Sequence, residues 1–208
     1  MGSQPSLPGF ETDMGPFPLD AVPPGHGTVH GYNLFLALFP DGPDALRIGD
    51  AAWPLIRQYG LDSSPLPLGR LHITLHALAY FPGQVSRVVV EAACAAVARI
   101  QYPTIPVVFD QAMSFPGNNA FVLLCTSNSN ADIAGLRKLL QGALKRVELR
   151  PQPSSTPHMT LRYRAGRVVD RRTIEPIRWI AKRYALILSH QGVTYYQRVS
   201  EWLLTNRH

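Results

Sequence analysis

Two four-residue phrases in this chain have the residue types for acid–base chemistry: His72-Ile73-Thr74-Leu75 and His158-Met159-Thr160-Leu161. They begin 158 − 72 = 86 residues apart. A histidine with its ordinary pKa of about 6.5 gives or takes a proton near neutral pH. A threonine hydroxyl two places on can donate a hydrogen bond to a phosphate oxygen. Two such pairs facing each other across a cleft would supply both proton transfers of an in-line phosphoester displacement. One imidazole, neutral, would deprotonate the attacking water or hydroxyl, and the other, protonated, would protonate the leaving oxygen. His72 and His158 are therefore the candidate acid–base pair, with Thr74 and Thr160 as candidate phosphate ligands. The scheme needs no metal ion.

Strands are the elements that position these side chains. In 71–78, Leu71, Ile73, Leu75 and Ala77 alternate with His72, Thr74, His76 and Leu78, the period of two of a strand. In 158–164, Met159, Leu161 and Tyr163 alternate with His158, Thr160, Arg162 and Arg164. Each histidine then shares a face with its threonine, about 6.6 Å further along the strand. Alternation also puts His76 beside Thr74, either as a solvated or structural side chain or as a substrate contact at the cleft rim. It puts Arg162 on the face of His158, where it could contact a phosphate, and turns Tyr163 toward the core. On a helix His72 and His76 could share a zinc ion, but on a strand they stand about 13 Å apart, so no metal site is expected.

The rest of the chain supplies the frame. Residues 1–29 are a Pro/Gly-rich stretch without periodicity, read as a flexible extension, and 30–208 as a single domain. The apolar run 31–40 predicts a strand, and 43–59 a helix that Pro54 should kink or interrupt. A strand at 70–78 carries the first motif, and 83–100 reads as an Ala-rich helix. Segments 105–115 and 119–127 form a hairpin around Pro116-Gly117-Asn118-Asn119. A helix over 130–147 would bury Leu136, Leu139, Leu140 and Leu144, and the second motif strand follows at 157–164. Segments 177–191 and 193–204 read as two long strands of a terminal hairpin turning near Gly192. One motif strand in each half predicts an internal duplication: an α+β, bilobal fold in which each lobe is an antiparallel sheet backed by helices.

Composition sets outer bounds. An apolar fraction of 46% with 16% charged residues fits a globular protein. The net charge of +6 favours phosphate-bearing partners. Cys94 and Cys125 lie in apolar surroundings without C-x-x-C spacing, as buried free thiols of a reducing compartment do. No apolar run approaches the roughly 20 residues that cross a bilayer, and the N-terminus lacks a secretion signal. A soluble, cytoplasmic protein without a membrane partner is the expectation.

These residues together resemble the two-histidine (2H) phosphoesterase superfamily, and within it the 2'-5' RNA ligase/RNA 2',3'-cyclic phosphodiesterase branch. "YNLFLALFPD" is similar to that branch's opening strand. The motif spacing is close to the family's, and "IRWIAKRYALILSHQGVTYYQRVSEWLL" resembles its closing hairpin. The resemblance spans about residues 31–204. It implies two antiparallel sheets backed by helices, related by a pseudo-twofold axis, with both motifs lining a central cleft. It further implies opening of 2',3'-cyclic phosphates to 2'-phosphates without metal or other cofactor, and in some members joining of a cyclic-phosphate end to a 5'-hydroxyl. By position His72 would be the acid protonating O3', His158 the base, and Thr74 and Thr160 the phosphate ligands. The partner implied is RNA or a nucleotide with a 2',3'-cyclic phosphate; apart from the resemblance, a monomer is the expectation. Many members carry a basic residue five places after the second motif histidine, where this chain has Tyr163. Some ligase-like members share that tyrosine, which could stack on a base. Two alternatives accompany this reading: the same fold acting on 2'-5' oligonucleotides or a small cyclic-phosphate metabolite, and a non-catalytic RNA-binding module. A long basic groove would favour RNA, and a small closed pocket a nucleotide.

Overall fold

A computed structural model describes residues 28–61, 65–152, 156–193 and 195–205. Residues 1–27, most of the N-terminal extension, lie outside the described residues. Strand β1 (Gly31–Leu38) is followed by α1 (Gly42–Gln58), a short 3-10 turn (Leu68–Arg70) and β2 (Ile73–Phe81). Next come α2 (Arg87–Val97), the hairpin β3 (Ile105–Ser114) and β4 (Phe121–Cys125), α3 (Ser127–Arg146) and β5 (His158–Arg162). The strands β6 (Arg172–Ala181), β7 (Arg183–Gln191) and β8 (Tyr195–Leu203) complete the fold.

The strands form one eight-stranded sheet, β6-β3-β4-β5-β2-β1-β7-β8, antiparallel throughout. The two sheets implied by the sequence are its two four-stranded halves, joined where Ile73 of β2 pairs with Met159 of β5. Each half contains the same unit: a strand, a helix, then a motif strand antiparallel to the first. The units are β1-α1-β2 and β4-α3-β5. The motif strands meet at the centre, and the repeat is the pseudo-twofold relation.

Among the described residues the helices pack on one face of the sheet. The large core draws Ile48, Ala52 and Ile56 from α1, Val90, Ala93 and Val97 from α2, and Ile133, Leu136, Leu140 and Leu144 from α3. Leu139, expected in that stripe, is 45% exposed; Ile133 and Ala143 complete the buried arc of α3. On the opposite face, Phe35, Ala37, Phe39, Ala185, Ile187 and Tyr196 form one small cluster, and Ala120, Val122 and Leu124 another. The run 31–40 is apolar because β1 is buried on both faces: Leu34, Leu36 and Leu38 toward the helices, Phe35 and Ala37 away from them.

Two expectations change. Pro54 does not divide α1, which runs unbroken over Gly42–Gln58. Both Pro54 and Asp50, whose carbonyl loses its partner, face solvent, so water replaces the missing bond. The segment 177–191 is not one strand of a hairpin with 193–204. It breaks at Lys182, where β6 ends beside β3 on one edge of the sheet and β7 begins beside β1 in the other half. Burial changes there too: β6 alternates and tolerates Pro176 because it is an edge strand, whereas β7 is buried continuously from Tyr184 to His190. The turns at Gly117 (φ +92°), Asn119 (φ +49°) and Gly192 (φ +91°) fall where the sequence puts them.

Candidate active site

The register of β2 and β5 brings the motifs together. Ile73 opposite Met159 sets His72 beside Thr160 and Thr74 beside His158, the two histidines lying on the diagonal at roughly 8 Å between Cα atoms. Beyond this pair the strands part, and each takes its next bond from the loop leading into the other motif. The Leu66 N–H donates to the carbonyl of Leu161 (2.9 Å), and the Gln152 N–H to that of Ala77 (3.1 Å). The parting opens the cleft between the halves.

Each histidine is held in the same way. His72 Nδ1 bonds the carbonyl of Arg70 at 2.7 Å, and His158 Nδ1 that of Thr156 at 2.8 Å, in both cases two residues back. A carbonyl only accepts, so Nδ1 carries the proton in both rings and the neutral tautomer leaves the Nε2 lone pair for a reacting group. His72 sits among Phe35, Phe39 and Tyr196, with ring centroids at 5.3, 5.5 and 5.6 Å. That burial pushes its pKa down to about 4, opposed by the bond to the Arg70 carbonyl and helped by the charges of Arg70 and His158. His158 packs edge-on against Phe115 at 4.6 Å, and its pKa is lowered by burial and by the Arg137 charge, against its carbonyl bond.

Position 76 departs from alternation. The pairing of β1 with β2 skips Leu75 and Leu78, and that of β4 with β5 skips Leu161. A bulge therefore follows the threonine of each motif and reverses the faces beyond it. His76, which alternation puts beside Thr74, is buried against α3, with Nε2 donating to the carbonyl of Arg137 at 2.9 Å. Arg162, expected to face a phosphate, is 9% exposed, with Nη2 donating to the carbonyl of Arg164, and does not line the cleft cavity. Tyr163, expected in the core, is 44% exposed and does line it.

That cavity, about 850 Å³, holds His72, Thr74 and Tyr163 with Arg70, Tyr196 and Gln191. His158 and Thr160 lie outside its lining, on the neighbouring strand. Two residues that sequence reasoning missed bear on the site. Arg70 precedes β2 in the 3-10 turn, where no periodicity could place it. Arg137 on α3 donates from Nη2 to the Thr74 carbonyl at 2.6 Å, pinning the motif strand from below. Its place one residue beyond the apolar Leu136 was the signal available. Among the described residues, no three His, Cys, Asp or Glu side chains cluster as a metal site would require.

A family model for the 2'-5' RNA ligase superfamily matches residues 42–191, more than half of the chain. The crystal structure of E. coli LigT complexed with ATP is 22% identical with a TM-score of 0.65, over 85% of this chain and 99% of that one. A phosphoesterase crystal structure has a TM-score of 0.65 at 20% identity, over 85% and 99% of the two chains. TT0787 of Thermus thermophilus gives 0.61 at 18%, over 85% and 100%. At these identities the likeness is one of fold. No curated protein matches the chain by sequence.

Proposed function

The chain belongs to the 2'-5' RNA ligase superfamily, and on that premise we propose that it is a metal-independent phosphodiesterase opening RNA 2',3'-cyclic phosphate ends to 2'-phosphates. The observation that carries the reading is the matched pair of imidazoles, each with Nδ1 fixed on the carbonyl two residues back and Nε2 left for chemistry.

In the reaction, Nε2 of one neutral histidine takes a proton from water as its oxygen attacks phosphorus. The P–O3' bond breaks in line, and the other histidine, as imidazolium, gives its proton to O3'. The product is a 2'-phosphate, and exchange with solvent restores both rings. Thr74 and Thr160 donate to the non-bridging oxygens. A 5'-hydroxyl in place of water would leave a 2'-5' linkage by the same steps. The resemblance makes His72 the acid. Burial keeps that ring neutral in the free protein, and the negative charge of the bound phosphodiester restores the proton that the acid role needs.

A second reading, a short nucleotide rather than the end of a long RNA, is favoured by the cavity itself. Its volume of about 850 Å³ is within the range of small-molecule sites, and its lining carries one guanidinium, that of Arg70, among the described residues. Structures of LigT with ATP and with 3'-AMP are consistent with nucleotide-sized ligands in this fold.

The test is to offer the protein, in EDTA, an oligoribonucleotide and a mononucleotide, each ending in a 2',3'-cyclic phosphate, and to locate the product phosphate. A 2'-phosphate from either supports the reading, and their relative kcat/KM separates the two substrate classes. A 3'-phosphate, or a requirement for a divalent ion, contradicts it.

A further inference from the structure

The resemblance implies a cation five residues after the second motif histidine, and this chain has Tyr163 there. The position does face the cleft, since Tyr163 lines the cavity with His72 and Thr74. The neighbouring arginines do not fill the gap. Arg162 is buried outside the cavity lining, Arg164 lines a different cavity beside Gly117 and Asn119, and Arg137 is bonded to the Thr74 carbonyl.

Arg70 has the required placement. It lies two residues before His72, which bonds its carbonyl, while its side chain lines the same cavity as His72, Thr74 and Tyr163. Its guanidinium carbon stands 4.5 Å from the centroid of the Tyr196 ring, which is itself packed edge-on against His72. The guanidinium also shares a side-chain hydrogen bond with Tyr196, and its five N–H donors exceed what that bond uses. Nε is buried with no hydrogen-bond partner, and no carboxylate pairs with Arg70 among the described residues.

We propose that Arg70, held on Tyr196, is the catalytic cation that binds the non-bridging oxygens of the substrate phosphate, replacing the basic residue absent at Tyr163. The proposal rests on the phosphodiesterase reading and adds to it. Charge that grows on those oxygens during attack is then met from the turn before the first motif strand rather than from the second motif strand.

The experiment compares wild type, Arg70→Gln and Arg70→Gln/Tyr163→Arg for cyclic-phosphate turnover and, separately, for binding of inorganic phosphate by calorimetry. The His72 bond goes to the Arg70 backbone, so the substitution leaves it in place. Should Arg70→Gln not fold, Arg70→Met, which can still cover Tyr196, serves the same comparison. The expected result is a loss of kcat/KM of about 10²–10³-fold, loss of phosphate binding at unchanged Tm, and recovery of at least about tenfold when Tyr163→Arg returns a cation to the cleft. A merely structural arginine would not be rescued from that position. Arg70→Gln with wild-type turnover and phosphate affinity would overturn the proposal and leave the phosphodiesterase reading standing. A wild type that turns over no cyclic phosphate but binds inorganic phosphate through Arg70 would fail that reading and uphold the anion site.

Discussion

Ile73 pairs with Met159, and each is the residue immediately after a motif histidine. This one register brings the two motifs side by side at the centre of the sheet, each histidine across from the other motif's threonine. The chemistry then depends on the protonation states of two rings, His72 buried and His158 half-buried.

Both rings are shifted in the same direction, so the pH profile is expected to be displaced. Burial lowers His72 to about 4 and His158 below its ordinary value. The form of the free protein with one ring protonated therefore peaks below pH 6.5, and kcat/KM should fall as the pH rises above that value. Bound phosphodiester raises the acid's pKa, so the alkaline limb of kcat should lie higher than that of kcat/KM. Coincident limbs, or kcat/KM rising steadily from pH 5 to 9, would contradict the assignment.

The His72 shift also affects stability. Its folded pKa lies below its unfolded one, so between pH 6.5 and about 4 the unfolded chain binds the extra proton. Stability thus falls as the pH drops through that window, by about 3 kcal/mol in full, with no contribution above it. Denaturant midpoints should fall less on acidification for His72→Gln than for wild type. Equal falls would show that the ring is not held neutral by burial.

The motif residues were legible in the sequence because His-x-Thr is short enough for strand alternation to hold across it. What followed was not. Leu75 and Leu161 look like ordinary inward-facing residues, and nothing in their types marks them as bulges, yet those bulges turn His76 and Arg162 away and Tyr163 toward the cleft. The break at Lys182 did leave a trace, since alternation before it gives way to a continuous apolar run after it. Two strands joined by one residue, lying in opposite halves of the sheet, are nonetheless a tertiary arrangement that local pattern does not encode.

Arg137 offers a test of the support beneath the site. It bonds the Thr74 carbonyl and its charge lowers the pKa of His158. Arg137→Met should raise the His158 pKa, followed by NMR titration of the ring, and cost roughly 1–3 kcal/mol of stability for the carbonyl left unpaired. An unmoved titration would remove Arg137 from the site.

The bulge at Leu161 makes opposite predictions for adjacent residues. Tyr163→Ala removes a ring from the cleft wall and should lower kcat/KM about tenfold or more if a base stacks there, with Tm nearly unchanged. Arg162→Ala should lower Tm and leave KM as it was. The reverse pattern would restore the unbulged strand.

The central claim is that His72 and His158 act as one acid–base pair. Its most direct measurement is single-turnover cleavage of a 2',3'-cyclic phosphate end, in EDTA, by wild type, His72→Ala, His158→Ala and the double variant. The account predicts losses of about 10²–10⁴-fold for each single variant and little further loss for the double, because both rings serve one step. Either single variant retaining wild-type rates, or losses that multiply in the double, would contradict it.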